Sequence, residues 1–330
     1  LTTDLDLTIA IGDYDQVSDL TSGRISVPGV RLRPLHLPVE QIFGRLAAGA
    51  EWEISEFSMG KFSSMVAAGE DSLVGLPIFP SRVFRHSSIY VGSDSSLAAP
   101  EDLAGKRIGI PEWAQTASIY TRGILAEHHG VALDGVQWFQ AGVNEPGRRE
   151  KVRLSLPEGV SVTPVPDRSL SEMLVSGQLD AVMSARPPAP FTDGMGTIRR
   201  LIADYPAVER AYFDKTGVFP IMHGLVLRRD VHERHPWVAR NLLEGFEAAK
   251  QASLVRMRDV TASWLPLPWI AARTAEAEVM FGEDPWPYGV ESNWNTLDTF
   301  LRYGFEQGTC VRRLAPEELF PRELATTVLV

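Results

Sequence analysis

At 330 residues, with 44% hydrophobic and 22% charged side chains, the chain has the size and composition of a globular protein with more than one lobe. A formal net charge of −10 argues against a protein that coats nucleic acid, although arginines gathered in a cleft can still make a local anion site. The single cysteine, Cys310, excludes an internal disulfide, a CxxC redox pair and a thiolate zinc site, and no apolar run reaches the roughly 18 residues of a membrane span.

Strands and helices alternate along the chain, the pattern of an α/β fold. Residues 5–11 alternate as a strand and run into the turn Gly12-Asp13-Tyr14-Asp15. Residues 39–48 carry Ile42, Phe43, Leu46 and Ala47 at helical spacing. Residues 53–57 read as a short strand ending near Ser58-Met59-Gly60. Two more strands are expected at 73–79 and 87–91, with a polar segment, 80–86, between them. Residues 100–111 then read as a turn, a glycine-terminated helical turn and a new strand. A helix at 115–128, a strand at 135–139, a helix at 170–176 and a strand at 179–183 follow. That last strand runs through Ser184-Ala185-Arg186 into the stiff segment Pro187-Pro188-Ala189-Pro190. A strand at 221–227 is expected to return to the first lobe, before a long helix over 236–257 with Pro236 in its first turn. The layout predicts lobe one from 1–92 and 221–330 and lobe two from 93–220. Two crossings between lobes make a hinge and a cleft, where strand carboxyl ends and helix N-termini collect ligands.

Particular stretches carry a family likeness. Glu101-Asp102-Leu103-Ala104-Gly105-Lys106-Arg107-Ile108-Gly109-Ile110-Pro111 resembles the entry to the second lobe of type II solute-binding proteins. More specific are Phe79-Pro80-Ser81-Arg82-Val83-Phe84-Arg85-His86-Ser87, Pro111-Glu112-Trp113 with Thr116-Ala117, and Tyr120-Thr121-Arg122-Gly123-Ile124-Leu125. With Pro146-Gly147-Arg148-Arg149-Glu150, Leu179-Asp180-Ala181 and Phe219-Pro220-Ile221-Met222-His223, the set is similar to the 4,5-dihydroxyphthalate decarboxylase family. The resemblance implies a two-lobed α/β fold of the type II periplasmic-binding-protein-like kind, with an interlobe cleft and hinge. It also implies a carbon–carbon lyase that takes carbon dioxide from a small aromatic dicarboxylate, such as 4,5-dihydroxyphthalate, and leaves 3,4-dihydroxybenzoate. The alternative on the same fold is a solute-binding protein that delivers a small organic anion to an ABC importer. Such a protein is expected to carry an export leader; none is visible at Leu1, so a cytoplasmic location is expected, with no nucleic-acid or membrane partner.

Aryl decarboxylation sets its own requirements. The departing carboxylate leaves an electron pair in an sp² orbital with no delocalisation. A hydroxyl para to it moves charge onto the carboxylate-bearing carbon, an acid protonates that carbon, and carbon dioxide leaves. The site therefore needs a base near the phenol, an acid near the ring and cations for the carboxylates, and no electron-sink cofactor is required. His86 is the first choice for proton donor. Glu112, at the carboxyl end of the first lobe-two strand, and His223, at the returning strand, are the other acid–base candidates. Arg82 and Arg85 offer guanidinium forks for carboxylates; if their segment is extended, Arg82 and His86 share a face and Arg85 points the other way. Thr116 at a helix start, Arg186, Glu56 and Ser58 at strand ends, and Tyr14 as a ring-stacking wall complete the substrate-binding set. Arg122 reads as structural, and Arg148 and Arg149 as a solvated loop.

No metal ligand is assigned. His128 and His129 diverge on a helix, His232 and His235 lie in a polar surface segment, and no HExxH pattern occurs. A divalent ion held by His86, His223 and Glu112 or Glu56 stays compatible with the residue types, because folding can join positions that spacing cannot. Nucleotide-binding glycine loops and a GxSxG elbow are absent. Residues 264–269, rich in Trp, Leu and Pro, are expected to be exposed and open to contact with a second copy in a homo-oligomer.

Overall fold

In the computed structural model, which describes residues 4–49 and 51–325, alternation of Leu7, Ile9 and Ile11 makes Leu5–Ile11 a strand, β1, with those side chains buried. Next come α1 (Asp15–Thr21), β2 (Val30–His36), α2 (Val39–Gly49), β3 (Ile54–Ser58), α3 (Met59–Ala67) and β4 (Leu73–Arg82). The chain then builds β5 (Ile89–Gly92), β6 (Arg107–Ile110), α4 (Thr116–His129), β7 (Gln137–Gly142), β8 (Val162–Ser169), α5 (Leu170–Val175) and β9 (Ala181–Met183). After α6 (Ala189–Thr192), β10 (Ile198–Arg200) and α7 (Tyr205–Thr216), β11 (Ile221–Arg228) returns to the first sheet. Helices α8 (Arg229–Arg234), α9 (Trp237–Arg258), α10 (Ile270–Phe281), α11 (Trp294–Glu306) and α12 (Arg322–Ala325) finish the chain.

The first sheet runs β2-β1-β3-β11-β4, and the second runs β10-β5-β9-β6-β7-β8. In the first, β1 is parallel to β2 and β3, while β11 is antiparallel to β3 and β4. β3 is buried at every position, as a central strand covered on both faces must be. The first crossing between lobes falls earlier than the sequence placed it. Ile89–Gly92, assigned to lobe one on its pattern, pairs with β9 and β10 in the second sheet, so the chain crosses within 83–88. Only a single helical turn, His86–Ser88, stands between β4 and β5, and hydrophobic periodicity marks no boundary there.

The two lobes share a buried seam. Ala117, Ile119, Tyr120 and Ile124 of α4, a lobe-two helix, sit in the same hydrophobic cluster as the core of lobe one. α11 lies against α4, with Tyr120 and Phe300 rings 4.9 Å apart. A Cβ on Gly123 would come within 2.3 Å of the Tyr303 ring, so this position has room only for glycine. Arg122 is fully buried in the seam, as its structural reading expected: Nε donates to Gln307 Oε1 at 2.9 Å, and the guanidinium lies over the Trp113 ring at 3.7 Å. Gly60 marks another close approach, since its Cβ would fall 2.4 Å from the Ala114 carbonyl oxygen of the opposite lobe. Cys310 is buried, and burial pushes its thiol pKa up, which makes it a poor nucleophile. Trp264, Leu267 and Trp269 are exposed. Among the described residues no helix is long and apolar enough to cross a membrane.

Candidate active site

Strand pairing builds the centre of the site. β3 lies between β1 and β11, and His223 sits directly opposite Ser58 in the antiparallel register. Directly paired residues share a face, as do residues two apart on one strand, so Glu56, Ser58 and His223 project to the same side. Glu56 is 0% exposed, and a buried carboxylate must be partnered. It takes partners from the turn after β1 and from β11. Oε2 accepts from the Gly12 N–H at 2.9 Å, and Oε1 accepts from the Tyr14 hydroxyl at 2.7 Å and from Nδ1 of His223 at 2.5 Å.

Burial drives the Glu56 carboxyl upward, but the hydrogen bond and charge of His223, with the bonds from Gly12 and Tyr14, outweigh it and hold the group below its ordinary value. Glu56 is therefore an anion at neutral pH. It fixes the imidazole with Nδ1 as donor and leaves Nε2 as the nitrogen for the cleft. The Phe43 ring packs edge-on against the imidazole at 4.9 Å and holds its plane. Burial and the neighbouring Glu56 charge raise the Tyr14 phenol, which stays a hydrogen-bond donor rather than a ring-stacking wall.

The imidazole faces a cavity of about 410 Å³ between the lobes, lined by Ser58, Lys61 and His223 of lobe one, Glu112 and Arg186 of lobe two, and Arg85 from the crossing. These positions are strand carboxyl ends and helix starts, where open α/β sheets hold ligands. Arg85 is half-buried, donates Nε–H to the Met222 sulfur at 3.0 Å, and makes no ion pair among the described residues. Burial lowers its pKa to about 10, so it is still cationic at neutral pH. A charged guanidinium that lines a cavity and, among the described residues, touches no carboxylate directly is a site for an external carboxylate.

Glu112 is 1% exposed; its Oε1 accepts from Arg148 Nε at 2.8 Å, and its Oε2 lies 3.4 Å from Lys61 Nζ across the lobe boundary. Ser58 and Thr116 also meet across the boundary, with their hydroxyl oxygens 3.0 Å apart, and Thr116 Oγ1 accepts from the Gly60 N–H. Arg186 pairs with Glu40 at 2.6 Å, an exposed ion pair in the lining of the cleft. A second cavity of about 390 Å³ shares Glu40, Phe43, Lys61 and Arg148 with the first and adds Arg149 and Lys151. Across both linings Lys61, Arg85, Arg148, Arg149, Lys151 and Arg186 face only two carboxylates, Glu40 and Glu112. The cleft is thus locally positive on a chain of net charge −10.

Six of the residues singled out in the sequence (Ser58, Arg85, Glu112, Thr116, Arg186 and His223) come together at the cleft, and Glu56 and Tyr14 stand behind His223. Arg82 and His86 do not. Arg82 pairs across the sheet with Ile221, and its guanidinium is buried among the Phe79, Phe219 and Trp286 rings, where it donates to Asn293 Oδ1 and, at 2.7 Å, to the Pro287 carbonyl. Those bonds use the groups that were expected to hold a substrate. His86 is turned away by the helical turn after Arg85 and packs on the Tyr212 ring at 5.0 Å. Burial, with the charges of His129 and His128, lowers its pKa to about 4, which leaves it neutral and without a proton to give at neutral pH.

Arg148, expected in a solvated loop, lines the cleft instead. Lys61 was missed altogether. Its signal is composition: it is the lone charge between Phe57 and Gly69, three residues after a strand that ends at the cleft. With His86 apart from His223, the metal arrangement considered from sequence does not assemble. Among the described residues no group of three or more His, Cys, Asp or Glu side chains is placed to hold a metal ion.

This architecture is shared with solved periplasmic binding proteins. The aliphatic sulphonate binding protein SsuA of Escherichia coli superposes with a TM-score of 0.55 at 14% identity, covering 98% of this chain and 99% of that one. The alkanesulfonate-binding protein SsuA of Xanthomonas axonopodis pv. citri, bound to MOPS, gives 0.53 at 15% identity, covering 97% and 99%. At such identities the likeness defines the class, a two-lobed type II periplasmic-binding-protein-like fold, and nothing about ligand. No family model matches the chain. Among characterised proteins, the 4,5-dihydroxyphthalate decarboxylase of Comamonas testosteroni is 38% identical over 317 residues, 96% of each chain. A 4,5-dihydroxyphthalate decarboxylase of Pseudomonas putida is 40% identical over 201 residues, 61% of this chain and 78% of that one. The chain belongs to the 4,5-dihydroxyphthalate decarboxylase family, a family of carbon–carbon lyases.

Proposed function

We propose that this protein is a cytoplasmic decarboxylase of a hydroxylated aromatic ortho-dicarboxylate such as 4,5-dihydroxyphthalate, forming 3,4-dihydroxybenzoate in the interlobe cleft. The observation that carries the reading is the Glu56-backed imidazole of His223 in the same cavity as the unpaired guanidinium of Arg85. Arg85 takes the carboxylate that will leave. The ring hydroxyl para to it pushes electron density onto the carbon bearing that carboxylate. The His223 imidazolium, oriented by Glu56, gives its Nε2 proton to this carbon. The bond to the carboxylate then breaks, its electron pair restores the aromatic ring, and carbon dioxide departs. Neutral His223 recovers a proton from water. Glu112, committed to Arg148 and Lys61, serves as an anchor for those cations rather than as the base.

The test is turnover. Purified protein is mixed with 4,5-dihydroxyphthalate, and 3,4-dihydroxybenzoate and carbon dioxide are measured with and without a chelator. Product is expected from the unmodified chain, unaffected by chelator because the proposed step uses side chains alone, and lost in His223→Gln. Tight binding of the diacid with no product from any hydroxylated phthalate would instead support a solute-binding role.

A further inference from the structure

Lys61, Glu112 and Arg148 form a charged cluster that the proton transfer does not use. Lys61 is the third residue of α3 in lobe one, whereas Glu112 follows β6 and Arg148 follows β7 in lobe two. Both carboxylate oxygens of Glu112 are engaged, one by each cation, at 2.8 Å from Arg148 and 3.4 Å from Lys61. Two cations on one carboxylate leave a positive charge uncancelled. Nearby Arg149 and Lys151 add to it, and Glu40, the other carboxylate of the lining, is committed to Arg186. Burial lowers the Lys61 ammonium pKa, and the charge of Glu112 only partly opposes this. An incoming anion would complete the compensation. The cluster faces the cavity that holds His223 and Arg85, so one small ligand can reach both.

We propose that Lys61 and Arg148, held by Glu112, form a second carboxylate subsite for the carboxylate that the reaction keeps, so that the cleft selects vicinal aromatic dicarboxylates over monocarboxylates. Carboxylates on adjacent ring carbons repel each other, and one guanidinium fork satisfies one of them. A second cationic site on the same wall separates the two charges and fixes the ring against His223. Because Lys61 belongs to one lobe and Arg148 to the other, the retained carboxylate also ties the lobes together. Binding energy from a group that does not react thus positions the group that does. The assignment of the kept and the leaving carboxylate rests on the decarboxylase reading; the preference for two vicinal carboxylates does not.

Calorimetric titration with phthalate and benzoate, which differ by one ortho carboxylate, separates these readings. The unmodified protein is expected to bind phthalate about ten-fold or more tightly than benzoate. Lys61→Met and Arg148→Met should each remove most of that advantage while changing benzoate affinity much less, and Lys61→Arg should restore it. Arg85→Met should weaken both ligands. With 4,5-dihydroxyphthalate, Lys61→Met should raise KM more than it lowers kcat. A phthalate advantage that survives in both methionine variants, with near-ultraviolet circular dichroism showing native packing, overturns the subsite. Loss of native packing in Lys61→Met and Arg148→Met alike would also overturn it, by making the cluster a structural ion pair. A phthalate advantage that depends on Lys61, in a protein that yields no product from any hydroxylated phthalate, keeps the subsite and removes the decarboxylase reading.

Discussion

Nδ1 of His223 meets Oε1 of Glu56 at 2.5 Å across two adjacent antiparallel strands, with the carboxylate sealed in the sheet and the imidazole at the cavity wall. The carboxylate does two things at once: it orients the ring and fixes Nδ1 as the nitrogen turned away from the cleft. Glu56→Gln keeps the shape and removes the charge. Its kcat is expected to fall by about 10²-fold or more with KM little changed, and His223→Gln should fall at least as far. Because the two act as a unit, the double variant should be no slower than His223→Gln alone, as steady-state rates of product formation will show.

The two arginines of the 82–85 segment should separate cleanly. Arg82→Met strips a buried set of hydrogen bonds to Asn293 and the Pro287 carbonyl and is expected to cost about 2–4 kcal/mol of stability. Its KM should stay within about two-fold of the unmodified value, since the side chain does not reach the cavity. Arg85→Met should show the reverse, a KM raised about ten-fold or more with a nearly unchanged melting temperature. Thermal melts beside KM measurements distinguish the pair.

Gly60 offers a probe of lobe apposition. A Cβ there would stand 2.4 Å from a backbone carbonyl oxygen, which cannot rotate aside, so Gly60→Ala should push α3 away from residues 114–116. The Ser58–Thr116 contact and the Lys61–Glu112 pair would both lengthen. The expected result is a kcat/KM lower by about ten-fold or more in a protein that still folds, because misplacing groups by about 1 Å is costly at a reacting centre.

Behind Arg85, Nδ1 of His86 and Oε1 of Glu209 lie 3.9 Å apart, both buried and neither with a hydrogen-bond partner. Burial pushes His86 down to about 4 and Glu209 up to about 7, so this contact is not an ion pair at neutral pH. Arg85, His128, His129, Arg200 and Tyr212 are the other titratable groups nearby. As pH falls from about 6.5 toward 4, the unfolded chain protonates His86 before the folded one does, and stability is lost over that window. For Glu209 the folded state keeps a proton that the unfolded state has released, so its contribution is lost as pH rises from about 4.5 toward 7. Glu209→Gln should therefore raise the melting temperature relative to the unmodified chain at pH 8 and much less at pH 4.5.

Much of this arrangement could be read from residues alone, and the remainder has definite physical reasons. The strand ends that carry Glu56, Ser58, Glu112 and Arg186 were legible because apolar runs in an α/β chain stop where the cleft begins. The alternation of Arg82 and Arg85 assumed an extended segment, but the strand stops at Arg82 and the chain turns helical at His86; Arg85 lines the cavity, and Arg82 is buried on its own hydrogen bonds. His86 was misplaced because the chain turns helical there, and Ile89–Gly92 was put in the wrong lobe because no break in pattern marks the crossing. β2 escaped notice because Arg31, Arg33 and Pro34 disguise a strand that lies at a sheet edge, where charge and proline are tolerated. Lys61 and Arg148 were out of reach of spacing arguments, since what joins them is Glu112, 51 residues from one and 36 from the other.

The seam formed by α4 and α11 has a consequence for cooperativity. Gln307 alone accepts from Trp113 and Arg122 and donates to the Ile119 carbonyl, so residues near the C-terminal end of the chain complete the packing of a helix that belongs to the other lobe. Two halves that swing freely melt separately, whereas halves that share one core melt together. Calorimetry on this chain should accordingly record one heat-absorption peak, with its van't Hoff and calorimetric enthalpies in agreement. A fragment ending after β11 should lose the order of α4 along with everything it has lost in sequence.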